Sequence, residues 1–133
     1  MTAKKRKILI IDDDDLVRET VKLALSQANY EVATLEAPSL ALTVVKKSKP
    51  DLILMDLYMP ELNGLDLCRK LKADPQTKAI PVVIFTGSRE TMDVIGGIDA
   101  GAFEYIAKPV DGEVLLGKIR SILKHRPEGG DAR

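Results

Sequence analysis

Strand-length apolar runs alternate with longer amphipathic segments along this chain, and that alternation limits the folds open to it more than any other feature. The runs are KILII (7–11), EVATL (31–35), DLILMD (51–56), PVVIFT (81–86) and FEYIA (103–107). The first, third and fourth are almost continuously apolar, as parallel strands buried on both faces must be. The second alternates, with Val32 and Leu35 set among Glu31 and Thr34, and reads as an edge. Between the runs lie helical patterns. In 15–29, Val17, Val21, Ala24, Leu25 and Ala28 share one face, Asp14 or Asp15 can cap the start, and Asn29 can stop the helix in a left-handed conformation. Pro38 suits the first turn of 38–48. Asn63 can cap 64–73, which Asp74-Pro75 ends. Ser88 can cap 89–99, with Gly101 after it, and Asp111 can cap 112–124. In that last helix Val114, Leu115, Ile119, Ile122 and Leu123 form the expected buried stripe. The pattern is (βα)5. Strict alternation at this length implies one doubly wound α/β sandwich, an open parallel sheet with helices on both faces.

A chain of 133 residues with 45% hydrophobic content fits one domain with a real core. Its expected extent is 1–125, with a core over about 6–124, and 126–133 (RPEGGDAR) as a flexible tail or the start of a linker. Twenty basic residues balance twenty acidic ones, so no overall basic surplus points to nucleic acid. The run Lys4, Lys5, Arg6, Lys7 reads as a solvated N-terminal segment. One cysteine, Cys68, cannot form an internal disulfide and reads as a buried packing thiol. His125, the one histidine, has no ligand cluster beside it and reads as a surface residue. No run approaches 18 apolar residues, and the N-terminus lacks a signal-peptide core. A soluble, cytoplasmic protein is expected.

Open α/β sheets place their ligand sites at the C-terminal ends of the strands, so the residues that end the strands carry the argument. Strand one ends in Asp12 and Asp13, strand three in Asp56, strand four in Thr86, and strand five is followed by Lys108-Pro109. No glycine-rich phosphate loop follows strand one. The absence of Cys and His from this set argues against zinc, copper or iron. Hard oxygen ligands suit Mg²⁺ or Mn²⁺. A carboxylate beside such a cation can attack phosphorus to give an aspartyl phosphate. A hydroxyl and an ammonium can take up the phosphoryl oxygens.

At this point the chain resembles a response-regulator receiver domain of two-component signalling, of the chemotaxis-regulator kind, over about 6–125. The stretches that carry the likeness are ILIIDDDD, DLILMDLYMPELNG, VVIFTGS and GAFEYIAKP, in family order and spacing. The resemblance implies a flavodoxin-like fold with strand order 2-1-3-4-5. It implies Asp56 as phosphoacceptor, Thr86 and Lys108 as phosphoryl partners, and Tyr105 as the aromatic that swings inward on activation. For the metal it implies side-chain ligands Asp13 and Asp56, the backbone carbonyl of Tyr58, and Asp12 mostly through water. It raises the expectation of a cis bond at Lys108-Pro109. Asp14 and Asp15 fall to the following helix as caps and dipole partners. Four identical letters cannot fix their own alignment, so a shift by one stays open.

The implied function is a phosphorylation switch. A sensor histidine kinase or a histidine phosphotransfer protein donates to Asp56, and the face of helix four, strand five and helix five is retuned for an unidentified output partner. The domain catalyses its own phosphorylation and dephosphorylation and acts on no separate substrate. No nucleic acid or membrane contact is expected through it, and a phosphorylation-dependent homodimer is left open. Two readings compete. An aspartate-nucleophile phosphatase wants a second acid two residues after the nucleophile, where this chain has Tyr58. A non-phosphorylated interaction module would have no use for the complete acid, hydroxyl and amine set. Three local features stand out. Tyr58 is bulky enough to cover the acyl phosphate, and Gly87 leaves the pocket beside Thr86 open to the donor. Gly96-Gly97 interrupts helix four, either softening it for the switch or admitting a closely packed neighbour.

Overall fold

The five apolar runs become five parallel strands of one sheet in the computed structural model, which describes residues 5–36, 38–59, 62–87, 91–108 and 111–124. The strands are β1 (Lys7–Ile11), β2 (Glu31–Leu35), β3 (Leu52–Met55), β4 (Val82–Thr86) and β5 (Glu104–Ala107), in the order β2-β1-β3-β4-β5. The helices are α1 (Asp15–Gln27), α2 (Ala41–Ser48), α3 (Gly64–Ala73), α4 (Thr91–Asp99) and α5 (Gly112–Lys124). This is the expected doubly wound, flavodoxin-like sandwich, with the alternating β2 at one edge.

Continuous apolarity in β1 has a direct cause. Ile8 and Ile10 pack with Val21 and Leu25 of α1 and with Leu115 and Ile119 of α5. Leu9 and Ile11 point the other way, onto Ala41 and Val45 of α2 and Leu67 and Leu71 of α3. A slip of one residue would exchange these two sets, so the register is fixed by two cores at once. Cys68 lies fully buried in the second core, its thiol directed at the Ala100 carbonyl at 3.5 Å. Burial holds that thiol protonated well into alkaline pH, against the smaller opposing pull of the Lys72 and Arg69 charges. Among the described residues, no helix is long and apolar enough to cross a membrane.

Capping fixes where the loops at the sheet edge begin. Asp14 accepts from the Leu16 and Val17 amides at 2.9 and 3.3 Å, Asn63 from Leu65 at 2.8 Å, and Asp111 from Glu113 at 2.8 Å. Each satisfies amides that the first helical turn would otherwise leave unpaired. Asn29 ends α1 region with φ 73°, in the left-handed conformation expected of it.

Several expectations need correction. Residues 38–40 form a 3-10 turn, and α2 begins only at Ala41 with no side-chain cap. The fifth strand starts at Glu104, leaving Phe103 60% exposed. Val114 does not belong to the buried stripe of α5; it is 49% exposed, and Leu116 packs against the core instead. Beyond β3 the chain folds into a two-residue antiparallel hairpin, Tyr58–Met59 against Leu62–Asn63, too short to leave a periodic signal. Arg6 is no solvated tail residue, because its guanidinium donates to the Leu123 carbonyl at the end of α5 at 3.2 Å. Lys4, Ser88, Pro109, His125 and the segment 126–133 lie outside the described residues.

Close packing accounts for Gly97 in α4 but not for Gly96 before it. A Cβ on Gly97 would stand 2.8 Å from Ile84 Cδ1 and 3.2 Å from the Tyr105 ring, whereas one on Gly96 would meet Leu65 at 3.2 Å. Ile84 is fully buried and cannot retreat, while Leu65 is only partly buried. Alanine adds about 1 kcal/mol of helix propensity at either site. Gly96→Ala is therefore expected to raise the urea midpoint and Gly97→Ala to lower it; a stabilised Gly97→Ala protein would contradict this packing.

Candidate functional site

Backbone ladders run one residue beyond the strands and so bring the strand ends to a common edge. The Asp12 amide donates to the Leu35 carbonyl at 3.2 Å, the Asp56 amide to Ile11 at 3.0 Å, and the Lys108 amide to Thr86 at 2.7 Å. Asp12, Asp56 and Lys108 come from distant parts of the sequence, and these bonds place them side by side. One oxygen of each carboxylate of Asp12, Asp13 and Asp56 lies within 4.8 Å of the others.

Lys108 ties the cluster together. Its ammonium donates to Asp12 Oδ2 at 2.8 Å and to Asp56 Oδ2 at 3.3 Å, and it sits 5.3 Å from the centre of the Phe85 ring. Burial pulls the Lys108 amine down, but the hydrogen bond and charge of Asp12, joined by Asp56, outweigh it and leave the pKa above the ordinary lysine value. Asp12 is 1% exposed. Burial pushes its carboxyl above the usual range, and the bonds from Lys108 and from the Asp14 amide, at 2.9 Å, recover only part of the shift.

The four consecutive acids divide cleanly in space. Asp12 and Asp13 face Asp56. Asp14 caps α1, and Asp15 pairs with Arg18 in its first turn. Thr86 is buried at the end of β4, next to the exposed Gly87, whose Cβ position is open space. Tyr58 starts the hairpin. Its amide donates to Asp56 Oδ1 at 3.3 Å, and the residue is 57% exposed. Tyr105 pairs with Ile84 across β4 and β5 and is partly buried against the core, on the α4 side.

Two residues of the site escape a reading of the sequence. Arg18, at the end of the first turn of α1, donates from Nη1 to the Asp12 carbonyl at 2.7 Å and also pairs with Asp15 and, at 3.4 Å, with Glu36. In the sequence it is an ordinary arginine on an amphipathic helix. Gly64 opens α3 where a Cβ would stand 2.7 Å from the carbonyls of both Asp56 and Leu57, and its amide donates to Leu57 at 2.8 Å. Only glycine lets α3 approach the acceptor loop this closely. The signal for it was the NG pair before an apolar helical run.

The donor set suits a hard divalent cation. Its atoms are carboxylate oxygens, with no thiol or imidazole among the three, and one of them, Asp13, is exposed and accepts no hydrogen bond from the other described residues. Both oxygens of Asp12 accept hydrogen bonds at 2.9 and 2.8 Å, whereas both bonds to Asp56 are longer, at 3.3 Å.

The model of the family described as "response regulator receiver domain" matches residues 8–120. The "DNA-binding response regulator MtrA" of Mycolicibacterium smegmatis is 34% identical over 128 residues, 96% of this chain and 55% of that protein. The "transcriptional regulatory protein AfsQ1" of Streptomyces coelicolor is 33% identical over 117 residues, 88% of this chain and 51% of its own. The chain thus spans about half the length of these curated relatives. Among solved structures, a putative response regulator from Chloroflexus aurantiacus superposes with a TM-score of 0.87 at 34% identity, covering 92% of this chain and 100% of its own. The chemotaxis response regulator CheY4 of Vibrio cholerae gives 0.83 at 28% identity, covering 90% and 99%.

A raised carboxyl pKa in the folded state means that folding favours the protonated acid. For Asp12 that stability is present below the unfolded pKa near 4 and is lost as pH rises through the higher folded value. In Mg²⁺-free buffer at pH 7, Asp12→Asn is expected to raise the urea midpoint, by a margin that shrinks as the pH is lowered through that window. A lower midpoint at pH 7 would contradict the burial argument.

Proposed function

The chain belongs to the response regulator receiver domain family, and from that premise we propose that Asp56 accepts a phosphoryl group from a sensor histidine kinase or a histidine phosphotransfer protein. The observation that carries this reading is the bridge of Lys108 between Asp12 and Asp56. Asp56 stands at the mouth of the cluster with its side chain 13% exposed, whereas Asp12 is sealed beneath it. In the transfer an Asp56 oxygen forms the new O–P bond while the donor's N–P bond breaks, its electron pair returning to the imidazole nitrogen.

The residues of this chain have separable tasks. Lys108 holds Asp12 at 2.8 Å and Asp56 more loosely at 3.3 Å, so its ammonium can turn toward a phosphoryl oxygen without leaving Asp12. A charge-assisted bond of that kind contributes about 1.5–3 kcal/mol. Thr86 supplies a hydroxyl on the neighbouring strand, fixed relative to Lys108 by the 2.7 Å backbone bond. Asp13, Asp56 and the Tyr58 carbonyl would hold Mg²⁺ or Mn²⁺, with Asp12 reaching it through water. When bound, the cation screens the carboxylate charge that the incoming phosphoryl oxygens would otherwise meet.

Phosphorylation at one edge must reach a binding face. Tyr105 packs between the core and α4, over the glycine that brings that helix close. A rearrangement of Thr86 and Tyr105 shifts the surface formed by α4, β5 and α5 toward a partner-binding state. Ile95, Ile98, Phe103 and Val114 are large apolar residues left exposed on these elements and the approach to β5, which supports a protein partner there. The zero net charge supports a domain that touches no nucleic acid itself. The domain catalyses its own transfer and hydrolysis, and resides in the cytoplasm.

With a small phosphoryl donor and Mg²⁺, the wild-type protein is expected to gain one phosphoryl group by intact mass, and Asp56→Asn none. Label retained in Asp56→Asn, or uptake unchanged by chelator, counts against the reading. Tyr58→Asn is expected to shorten the phosphoryl half-life, because a bulky tyrosine two residues past the acceptor would shield the acyl phosphate from water. An unchanged or longer half-life would remove that role.

A further inference from the structure

Asp13 poses a problem of positioning. It is exposed, and among the described residues no recorded hydrogen bond or ion pair holds its carboxylate, yet that carboxylate lies with those of Asp12 and Asp56. Its place must come from its backbone. The peptide that carries it begins at the Asp12 carbonyl, and that carbonyl accepts the 2.7 Å bond from Arg18 Nη1.

Arg18 is well built for holding it. The side chain is 11% exposed. Its second nitrogen is occupied by Asp15 on its own helix and by Glu36, directly after β2. The guanidinium therefore spans three elements: α1 behind it, the end of β1 in front, and the exit of β2 to the side. Its planar fork serves these acceptors together, which a lysine amine on a flexible stem does less well. The remaining atoms of Asp12 are also fixed, with the amide on Leu35 and the two carboxylate oxygens on Asp14 and Lys108. The Asp12–Asp13 peptide is thus clamped on both sides, and the side chain that clamps its carbonyl is Arg18.

We infer that Arg18 is a positioning residue for the cation site, setting divalent-metal affinity by holding the Asp12–Asp13 peptide so that Asp13 faces Asp56. This rests on the cation reading of Asp12, Asp13 and Asp56. It also opposes simple electrostatics in sign. Removing a positive charge beside a cluster of acids should tighten cation binding, whereas losing the clamp should weaken it.

The measurement is Mg²⁺ affinity by amide chemical-shift titration, alongside the urea midpoint in EDTA and in saturating Mg²⁺. Wild type and Asp13→Asn are measured first. If wild type shows no saturable Mg²⁺ binding, the cation reading itself fails, apart from the role of Arg18. Given binding by wild type, Arg18→Met is expected to weaken Mg²⁺ about tenfold, the usual scale for loss of a group supporting a metal ligand. Arg18→Lys is expected to lose less. At a fixed Mg²⁺ concentration the stabilisation added over EDTA should shrink in step, since ligand linkage then depends on affinity. A purely structural arginine would instead lower both midpoints equally and leave the increment intact. Affinity unchanged or tighter in Arg18→Met overturns the inference; should that protein not fold, Arg18→Lys decides on the same criterion.

Discussion

One ammonium between two carboxylates organises the edge of this sheet. Unit charges 4–5 Å apart repel by about 3–4 kcal/mol at an effective dielectric of about 20. Asp12, Asp13 and Asp56 stand that close, so the cluster is tolerable only because Lys108 lies 2.8 and 3.3 Å from two of them. Among the described residues, none gives Asp13 such compensation. The pocket is therefore electrostatically incomplete in a defined direction, on the side of Asp13 and Asp56, and this is the side from which a cation and a phosphoryl group would approach. Burial of Asp12 sharpens the point, because its raised pKa marks a charge held in place at a cost.

The backbone makes that arrangement rigid. Ladder bonds at Leu35–Asp12, Ile11–Asp56 and Thr86–Lys108 extend the sheet just far enough to fix each functional residue, and no farther. Beyond Asp12 the chain turns at once into the capped α1 and, after Asp56, into the short hairpin that Gly64 admits beneath α3. The same two-sided core that sets the register of β1 therefore sets the distance between carboxylates more than forty residues apart in sequence.

Much of this was legible in the sequence because it follows from periodicity and termination. Continuous apolar runs gave parallel strands, caps at Asp14, Asn63 and Asp111 gave three helix starts, and the residues ending each run gave the cluster. What stayed hidden depends on side-chain direction or on small displacements. Nothing in DLVRETVK says that Arg18 turns back to the Asp12 carbonyl, since a helical arginine is normally solvated. Val114 fits an apolar stripe by spacing, yet sits at its margin in space. Gly97 was open between softness and close packing until the positions of Ile84 and Tyr105 were known. The four identical acids could not align themselves; the cap at Asp14 separates them.

The central claim is that the carboxylate of Asp56 itself bonds to phosphorus. Borohydride reduction after phosphoryl-donor treatment tests it most directly, because an acyl phosphate is reduced at its carbonyl carbon and leaves homoserine in place of aspartate. Peptide mapping is expected to find homoserine at position 56, in the Mg²⁺-containing sample alone. Homoserine at Asp12 or Asp13, or phosphate retained on a hydroxyl such as Thr86 with none at Asp56, would contradict it.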